Sequence, residues 1–168
     1  MRETTFVDPA TDPWREVEAH EATDAARDVG PNRLLSPAQW QAVKGSWPAD
    51  VEVGLVLPND VDVETIAEDA SRFAVIALRF PKWVDGRAYS QARLLRARLR
   101  FRGEIRATGE VLADMLPLLE RTGFDAVALR ADQSQAVAER ARSFFPRGHY
   151  QADIKEPQPL FARGAGSP

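Results

Sequence analysis

The chain has 168 residues, of which 44% are hydrophobic and 28% charged, and its formal net charge is −3. This length and composition indicate one folded domain with its own core and exclude a chain that is disordered throughout. The absence of cysteine excludes disulfides, thiol nucleophiles, thiolate zinc sites and self-ligated iron–sulfur clusters. No apolar run has the length of a membrane span, and residues 1–10 lack the apolar core of a secretory signal. We therefore expect a cytoplasmic protein without membrane contact.

The first part of the chain, residues 1–33, is predicted to be an acidic N-terminal segment made of loop and short strand. It lacks a long hydrophobic period, although Trp14 and Val17 favour a short strand or a hairpin. Ser36 and Pro37 then form a typical helix start, an N-cap followed by proline at the first helical position.

Short apolar runs alternate with helical patterns between residues 34 and 151. Strands are predicted over residues 51–57, 74–78, 104–108 and 126–129, and helices over 36–45, 61–70, 87–101, 111–121 and 134–145. This alternation is typical of βαβ units and predicts a single α/β domain with a mostly parallel sheet. The length excludes a complete (β/α)8 barrel and leaves an open sheet or a half-barrel-like arrangement. Residues 152–168, rich in Pro, Gly and Ala, are predicted to be a flexible tail.

The basic residues are unevenly distributed along the chain. Nine of the 22 lie between residues 79 and 106, where two carboxylates oppose them and the net charge is +7, while the rest of the chain carries −10. Within this block Arg93, Arg96 and Arg100 form a stripe along the predicted helix. Such a stripe is most often a solvated or internally paired face, and the functional alternative is a docking surface for an acidic partner or an anionic ligand. Nucleic acid is not expected, because the block lacks interleaved aromatic residues and the remaining chain is acidic.

The carboxyl ends of the strands are the expected place for a site, since ligands of open α/β sheets bind there. The residues near those ends that could hold a small anion are Arg79, Lys82, Arg87, Thr108 and Arg130. The loop of residues 80–87 is the richest of these places, and Trp83, Asp85 and Gly86 would support it. Each supporting residue has a structural alternative: Trp83 as a core residue, Asp85 as a helix cap and Gly86 as a position of unusual φ.

Other chemistry-bearing patterns are absent from the sequence. The two histidines, His20 and His149, stand far apart without metal-ligand spacing, so no metal site is predicted. No P-loop, dinucleotide-binding fingerprint or nucleophile elbow occurs, so no cofactor is predicted either.

Three stretches carry a family resemblance: RFPKWVDGRAYSQARLLR at residues 79–96, GEIRATG at 103–109 and GFDA at 123–126. They are similar to the signature of the bacterial family called domain of unknown function 934, and the likeness extends over residues 34–151. Members are labelled as oxidoreductases of sulfite reduction, and their genes accompany the sulfite reductase gene of assimilatory sulfate reduction. The resemblance therefore implies that pathway, and it supplies no catalytic residues.

Two residues depart from the family pattern. Members generally have Gln at the position of Met115, and Pro117 is also unusual, so no role is assigned to the helix predicted over residues 111–121. Pro117 should in addition kink that helix or shift its start.

The sequence and the resemblance together favour a binding function. A redox enzyme needs a cofactor or a redox-active side chain. The sequence contains no cofactor-binding motif and no cysteine. We therefore expect an accessory protein of sulfite reduction that docks on sulfite reductase or binds a small anion such as sulfite or sulfate. The alternative is a small enzyme, an oxidoreductase acting on a sulfur oxyanion or a related anion, with residues 82–87 as its site. A homodimer is also expected, since parallel βαβ units leave sheet edges to be paired, and the region of Trp14 should cover one of them.

Overall fold

The structure is a computed structural model, and it describes residues 4–18, 29–145, 152–154 and 157–159. In this part of the chain seven parallel strands form one curled half-barrel sheet accompanied by four α-helices, which confirms the predicted α/β fold. The strands are β1 (Thr5–Phe6), β2 (Arg15–Glu16), β3 (Arg33–Leu35), β4 (Val53–Leu57), β5 (Phe73–Phe80), β6 (Glu104–Gly109) and β7 (Ala126–Val127). The helices are α1 (Pro37–Val43), α2 (Arg87–Ala97), α3 (Leu116–Thr122) and α4 (Gln135–Ser143), with short 3-10 helices at Val63–Ile66, Ala70–Arg72 and Ala113–Met115.

The N-terminal segment supplies both edges of the sheet. Strands β2 to β7 lie side by side in chain order, and β1 lies beyond β7. The expectation that the region of Trp14 covers an edge is confirmed, because β2 pairs with β3 as an edge strand. The hairpin alternative is wrong, since this pairing is parallel. Strands β1 and β3 were not predicted, because two or three residues are too few to show a period.

The two faces of the sheet are covered differently, because side chains alternate along each strand. Large apolar side chains such as Leu55, Ile76 and Ile105 point towards the helices and form the main core with them. The concave face holds a smaller apolar cluster, which packs against Trp14 and consists of Leu34, Val56, Val75 and Ala77.

The chain between β1 and β2 crosses the concave face and is anchored there by a buried ion pair. Asp12 Oδ2 lies 2.5 Å from Arg106 Nη1, and the two side chains are 12% and 6% exposed. Glu104 Oε1 lies 2.7 Å from Nε of the same arginine. Since β1 and β2 lie at opposite edges, this crossing segment connects the two edges of the half-barrel.

The prediction of an α-helix over residues 61–70 is wrong. Two 3-10 helices form there instead, and Asp62 begins the first by accepting a hydrogen bond from the Glu64 amide at 3.0 Å. The Thr65 hydroxyl donates to the Asp62 carbonyl at 2.6 Å. Such local side-chain bonds compete with a regular α-helix.

Two further helices differ from their predicted bounds. Helix α2 ends at Ala97, earlier than predicted, and Arg100 just beyond it adopts a left-handed backbone with φ of 53°. Pro117 lies in the first turn of α3, so it shifts the start of that helix, as expected. Among the described residues no helix is both long enough and apolar enough to cross a membrane.

Candidate functional site

A cavity of about 390 Å³ opens on the concave face at the carboxyl ends of β5 and β6. Its polar lining consists of Glu16, Arg79, Thr108 and Glu110, and the rest of the lining is Leu34, Val56, Ala77, Phe80, Pro81 and Gly109. This position matches the expectation that a site lies beyond the carboxyl ends of the strands.

The β5–β6 ladder places the polar lining. Arg79 is directly paired with Thr108, so both side chains lie on the same face, and the Thr108 hydroxyl donates to the Leu78 carbonyl at 3.4 Å. Gly109 then turns the chain with a φ of +91°, and a Cβ there would lie 2.4 Å from the Phe80 carbonyl oxygen. Only glycine tolerates both conditions, and the turn brings Glu110 to the mouth of the cavity.

An ion pair spans this mouth. Arg79 Nη2 lies 2.6 Å from Glu16 Oε2, and these residues belong to β5 and β2, which are separated by β4 and β3. The two side chains are about half exposed. The pair can form because the sheet is curled, which brings the edge strand towards the centre of the half-barrel.

A second charged group adjoins the cavity. Arg130 donates to Glu110 Oε2 at 2.8 Å, and its other donors form a bidentate pair with Asp132 at 2.6 and 2.7 Å. The hydrogen bonds that Arg130 donates to Asp132 and Glu110 raise its own pKa, and those that Asp132 accepts lower the pKa of that carboxyl to about 2. Arg130 is therefore a fixed cation that holds Glu110 in place.

The loop between β5 and α2 presents a bulky apolar tip to solvent. Trp83 is 56% exposed and Val84 66% exposed, and Lys82 beside them is exposed as well. The interpretation of Trp83 as a core residue is therefore wrong. Gly86 has an ordinary φ of −84°, so the expectation of an unusual backbone there is also wrong.

Asp85 takes the structural role that the sequence offered as an alternative. Its Oδ1 accepts a hydrogen bond from the Arg87 amide at 3.2 Å, in the first turn of α2. The Arg87 guanidinium forms a bidentate pair with the same carboxylate at 3.0 and 2.7 Å. These hydrogen bonds move the pKa of Asp85 well below its usual range and raise the pKa of Arg87.

The structure brings together only part of the predicted anion site. Arg79 and Thr108 line the cavity, and Arg130 adjoins it through Glu110, whereas Lys82 and Arg87 are not among the lining residues. Each of the three arginines has a carboxylate partner.

Sequence reasoning missed both acidic lining residues. Glu110 stands two positions after the predicted 104–108 strand and could have been found by the same rule as Thr108. Glu16 is distant in sequence and offers no comparable signal.

The three arginines predicted as a docking stripe do not form one surface. Arg93 and Arg100 are exposed, but Arg96 faces inward and is mostly buried. Its guanidinium donates to the carbonyls of three residues and pairs with the Asp125 carboxylate; the three carbonyls are those of Phe101, Gly103 and Gly123, at 2.7, 2.9 and 3.0 Å. Burial lowers the pKa of Arg96, and the charge of Asp125 opposes that shift. Arg96 is therefore a structural residue, which corrects its assignment as a docking residue.

The comparisons with known proteins identify a family. A family model described as "Bacterial protein of unknown function (DUF934)" matches residues 54–161, a stretch that contains α2, the exposed tip and the β5–β6 side of the cavity. No curated protein matches the chain. Among the described residues there is also no group of three potential metal ligands.

Proposed function

The chain belongs to the DUF934 family of bacterial proteins of unknown function, and from that premise we propose that it serves assimilatory sulfite reduction as an accessory protein that docks on an acidic partner. The pathway is the one implied by the family resemblance, and sulfite reductase is the partner that we propose. The observation that carries the docking role is the exposure of Trp83 and Val84 at the tip before α2.

An exposed tryptophan beside an exposed valine leaves a large apolar area in water. Tryptophan is enriched among the residues that dominate binding energy at protein interfaces. Helix α2 follows the tip in the chain and also exposes Arg93 and Leu94, the latter to 39%. We define the docking face as Lys82, Trp83, Val84, Arg93, Leu94 and Arg100.

The charge of the docking face suits an acidic partner. Among the described residues, Lys82, Arg93 and Arg100 form no ion pair. Exposed charges of this kind mainly accelerate encounter, so association should weaken as the salt concentration rises. The arginines at the cavity are instead neutralised by carboxylates, which supports docking over the capture of a simple anion.

The test is the affinity of the purified protein for sulfite reductase, measured by surface plasmon resonance. Trp83→Ala should weaken binding by at least about tenfold, and Arg93→Glu with Arg100→Glu should weaken it and reduce its salt dependence. Val137→Ala is the matched control, because Val137 is equally exposed but lies on α4. Binding that Trp83→Ala leaves unchanged, or no binding by the unaltered protein, would overturn the proposal.

The second candidate is the small enzyme acting on a sulfur oxyanion, and the observation that supports it is the position of the cavity beside the tip, although the carboxylates of the lining oppose a simple anion. Pro81, next to the tip, belongs to the lining, so the loop of residues 82–87 adjoins a space that a small substrate could enter. The assay is sulfite turnover by the isolated protein with reduced donors. Turnover without sulfite reductase would favour the enzyme, and Arg87→Ala should then lower the rate while the protein stays folded.

A further inference from the structure

The charges that line the cavity do not suit a simple anion. Glu16, Arg79 and Glu110 give the lining a net charge of −1, and including Arg130 and Asp132 leaves it at −1. A sulfate ion would approach Arg79 against two carboxylates. A simple cation would approach the carboxylates against Arg79. A ligand that carries one positive and one negative charge can place each beside a group of opposite sign, and so avoids both repulsions.

Unused hydrogen-bonding capacity points to the same kind of ligand. Within the part of the chain that the structure describes, the Arg79 guanidinium makes one hydrogen bond, to Glu16, although it carries five N–H donors. Glu110 is bonded to Arg130 through Oε2, and its Oε1 has no partner among those residues. One arginine in this protein already holds two carboxylates, since Arg130 binds both Glu110 and Asp132. Arg79 can therefore bind a ligand carboxylate while it keeps Glu16.

The floor of the cavity is apolar. Leu34, Val56 and Ala77 come from neighbouring strands β3, β4 and β5 and belong to the concave-face cluster. A volume of about 390 Å³ lies near the lower end of the range for small-molecule sites. Leu34, Val56 and Ala77 are only 7%, 5% and 1% exposed, so the floor presents a small apolar surface, and a polar ligand group there would find no hydrogen-bond partner on these three side chains.

We propose that this cavity binds an α-amino acid with an apolar side chain. Its carboxylate is held by Arg79, beside the Thr108 hydroxyl; its ammonium group is held by Glu110; and its side chain lies on the floor. Arg130 is the positioning residue that fixes Glu110. This binding site does not depend on the docking function, because none of the residues of the docking face lines the cavity.

The experiment is isothermal titration calorimetry with L-leucine, L-valine and L-methionine as probes. At least one should bind, and its two truncated analogues should bind at least about tenfold more weakly, since each loses a charge-assisted hydrogen bond. For L-leucine these analogues are 3-methylbutylamine, which lacks the carboxylate, and 4-methylpentanoate, which lacks the ammonium group. Sodium sulfate should bind more weakly than the amino acid.

Substitutions in the cavity lining test whether the amino acid binds there. Arg79→Gln and Glu110→Gln should each weaken binding at least about tenfold, and Thr108→Leu should block the cavity sterically without a change of charge. Arg140→Gln is the control, because Arg140 is exposed on α4 and lies outside both the lining and the docking face. Circular dichroism of each variant establishes whether it is folded. If Arg79→Gln or Glu110→Gln does not fold, the affinity of Thr108→Leu decides whether the ligand binds in the cavity. The proposal is overturned if none of the amino acids binds at millimolar concentration, if sulfate binds more tightly, or if the folded variants keep full affinity.

Discussion

Gly54 in β4 allows Trp14 to pack on the concave face. An ideal Cβ at Gly54 would lie 2.6 Å from Leu34 Cδ2, 3.0 Å from the Val75 carbonyl oxygen and 3.1 Å from Trp14 Cζ3. The backbone oxygen cannot move aside as a side chain can. The glycine therefore creates the space that the indole ring occupies.

Replacing this glycine tests the fit. Gly54→Ala should lower the free energy of unfolding by about 1–3 kcal/mol, the usual effect of overpacking, although alanine normally suits a strand better than glycine does. Urea denaturation followed by circular dichroism measures the change. Gly45→Ala is the control, since no atom lies within 4 Å of a Cβ there, and it should change the free energy by less than about 0.5 kcal/mol. Equal effects of the two changes would contradict this account.

The carboxylate of Asp132 should titrate abnormally. Its hydrogen bonds from Arg130 lower its pKa from 3.8 to about 2. Because the folded value is the lower one, the pair stabilises the fold above pH 3.8, and this contribution disappears as the pH falls through 2. NMR titration of the side-chain carbon should give a pKa of about 2, and Arg130→Ala should return it towards 3.8. A normal pKa in the unaltered protein would show that the bidentate pair does not form in solution.

Helix α2 contains arginines of two different kinds. Arg96 connects the helix to the chain that follows it and to the loop before β7, through three carbonyls and Asp125. Arg93, one turn earlier, is exposed. The same residue type on one helix thus has a structural role at one position and is available for a partner at the other.

The two arginines should respond differently to truncation. Arg96→Ala should lower the free energy of unfolding by about 3 kcal/mol, because it removes the donor of three carbonyls and the cation beside Asp125, which keeps the hydrogen bond from the Ile105 amide. Arg93→Ala should change it by less than about 0.5 kcal/mol. Chemical denaturation of both variants under one set of conditions gives the comparison. A small change in the free energy of unfolding for Arg96→Ala would mean that water takes over the hydrogen bonds that the guanidinium donates.

The crossing segment between β1 and β2 depends on Asp12. Asp12→Ala leaves Arg106 buried with Glu104 as its remaining ion-pair partner, and should cost about 3 kcal/mol of stability. Hydrogen exchange should show earlier opening of β1 and β2 than of β5. Asp8→Ala is the control, because Asp8 lies in the same segment but is exposed, and its carboxylate accepts a hydrogen bond from the nearby Ala10 amide. The anchor would be unimportant if the two variants were equally stable.

Self-association is expected to use a helix face, since both sheet edges are short. Strands β1 and β2 have two residues each, which leaves little backbone for pairing with a second copy. The homodimer predicted from the sequence therefore stays a prediction, now directed to α2 or α4. Light scattering across the micromolar range should show a dimer, and Leu94→Lys on α2 or Val137→Lys on α4 should dissociate it. A monomer at high micromolar concentration would count against it.

The centre of the sheet could be predicted from the sequence, but its edges and much of the site could not. Strands β4 to β6 contain apolar runs whose period and flanking turns are visible locally, and Arg79 and Thr108 follow from their places at strand ends. The partners of Arg96 and Arg106 cannot be found this way, because an ion pair between distant residues leaves no periodic signal. Glu16 lies in such a pair, and its place in the cavity follows only from the curl of the sheet.

The edge strand β1 also determines when the fold can be completed during synthesis. The Thr4 hydroxyl bonds the Phe124 carbonyl, 120 residues further along the chain, and β1 pairs with β7. At about 5–20 residues per second, a ribosome takes about 6–24 s to add that stretch. Until then the nascent chain has no partner for its first strand, while β2 to β6 can already assemble in the order in which they emerge. The sheet therefore grows from one edge to the other, and its first strand is the last to be joined.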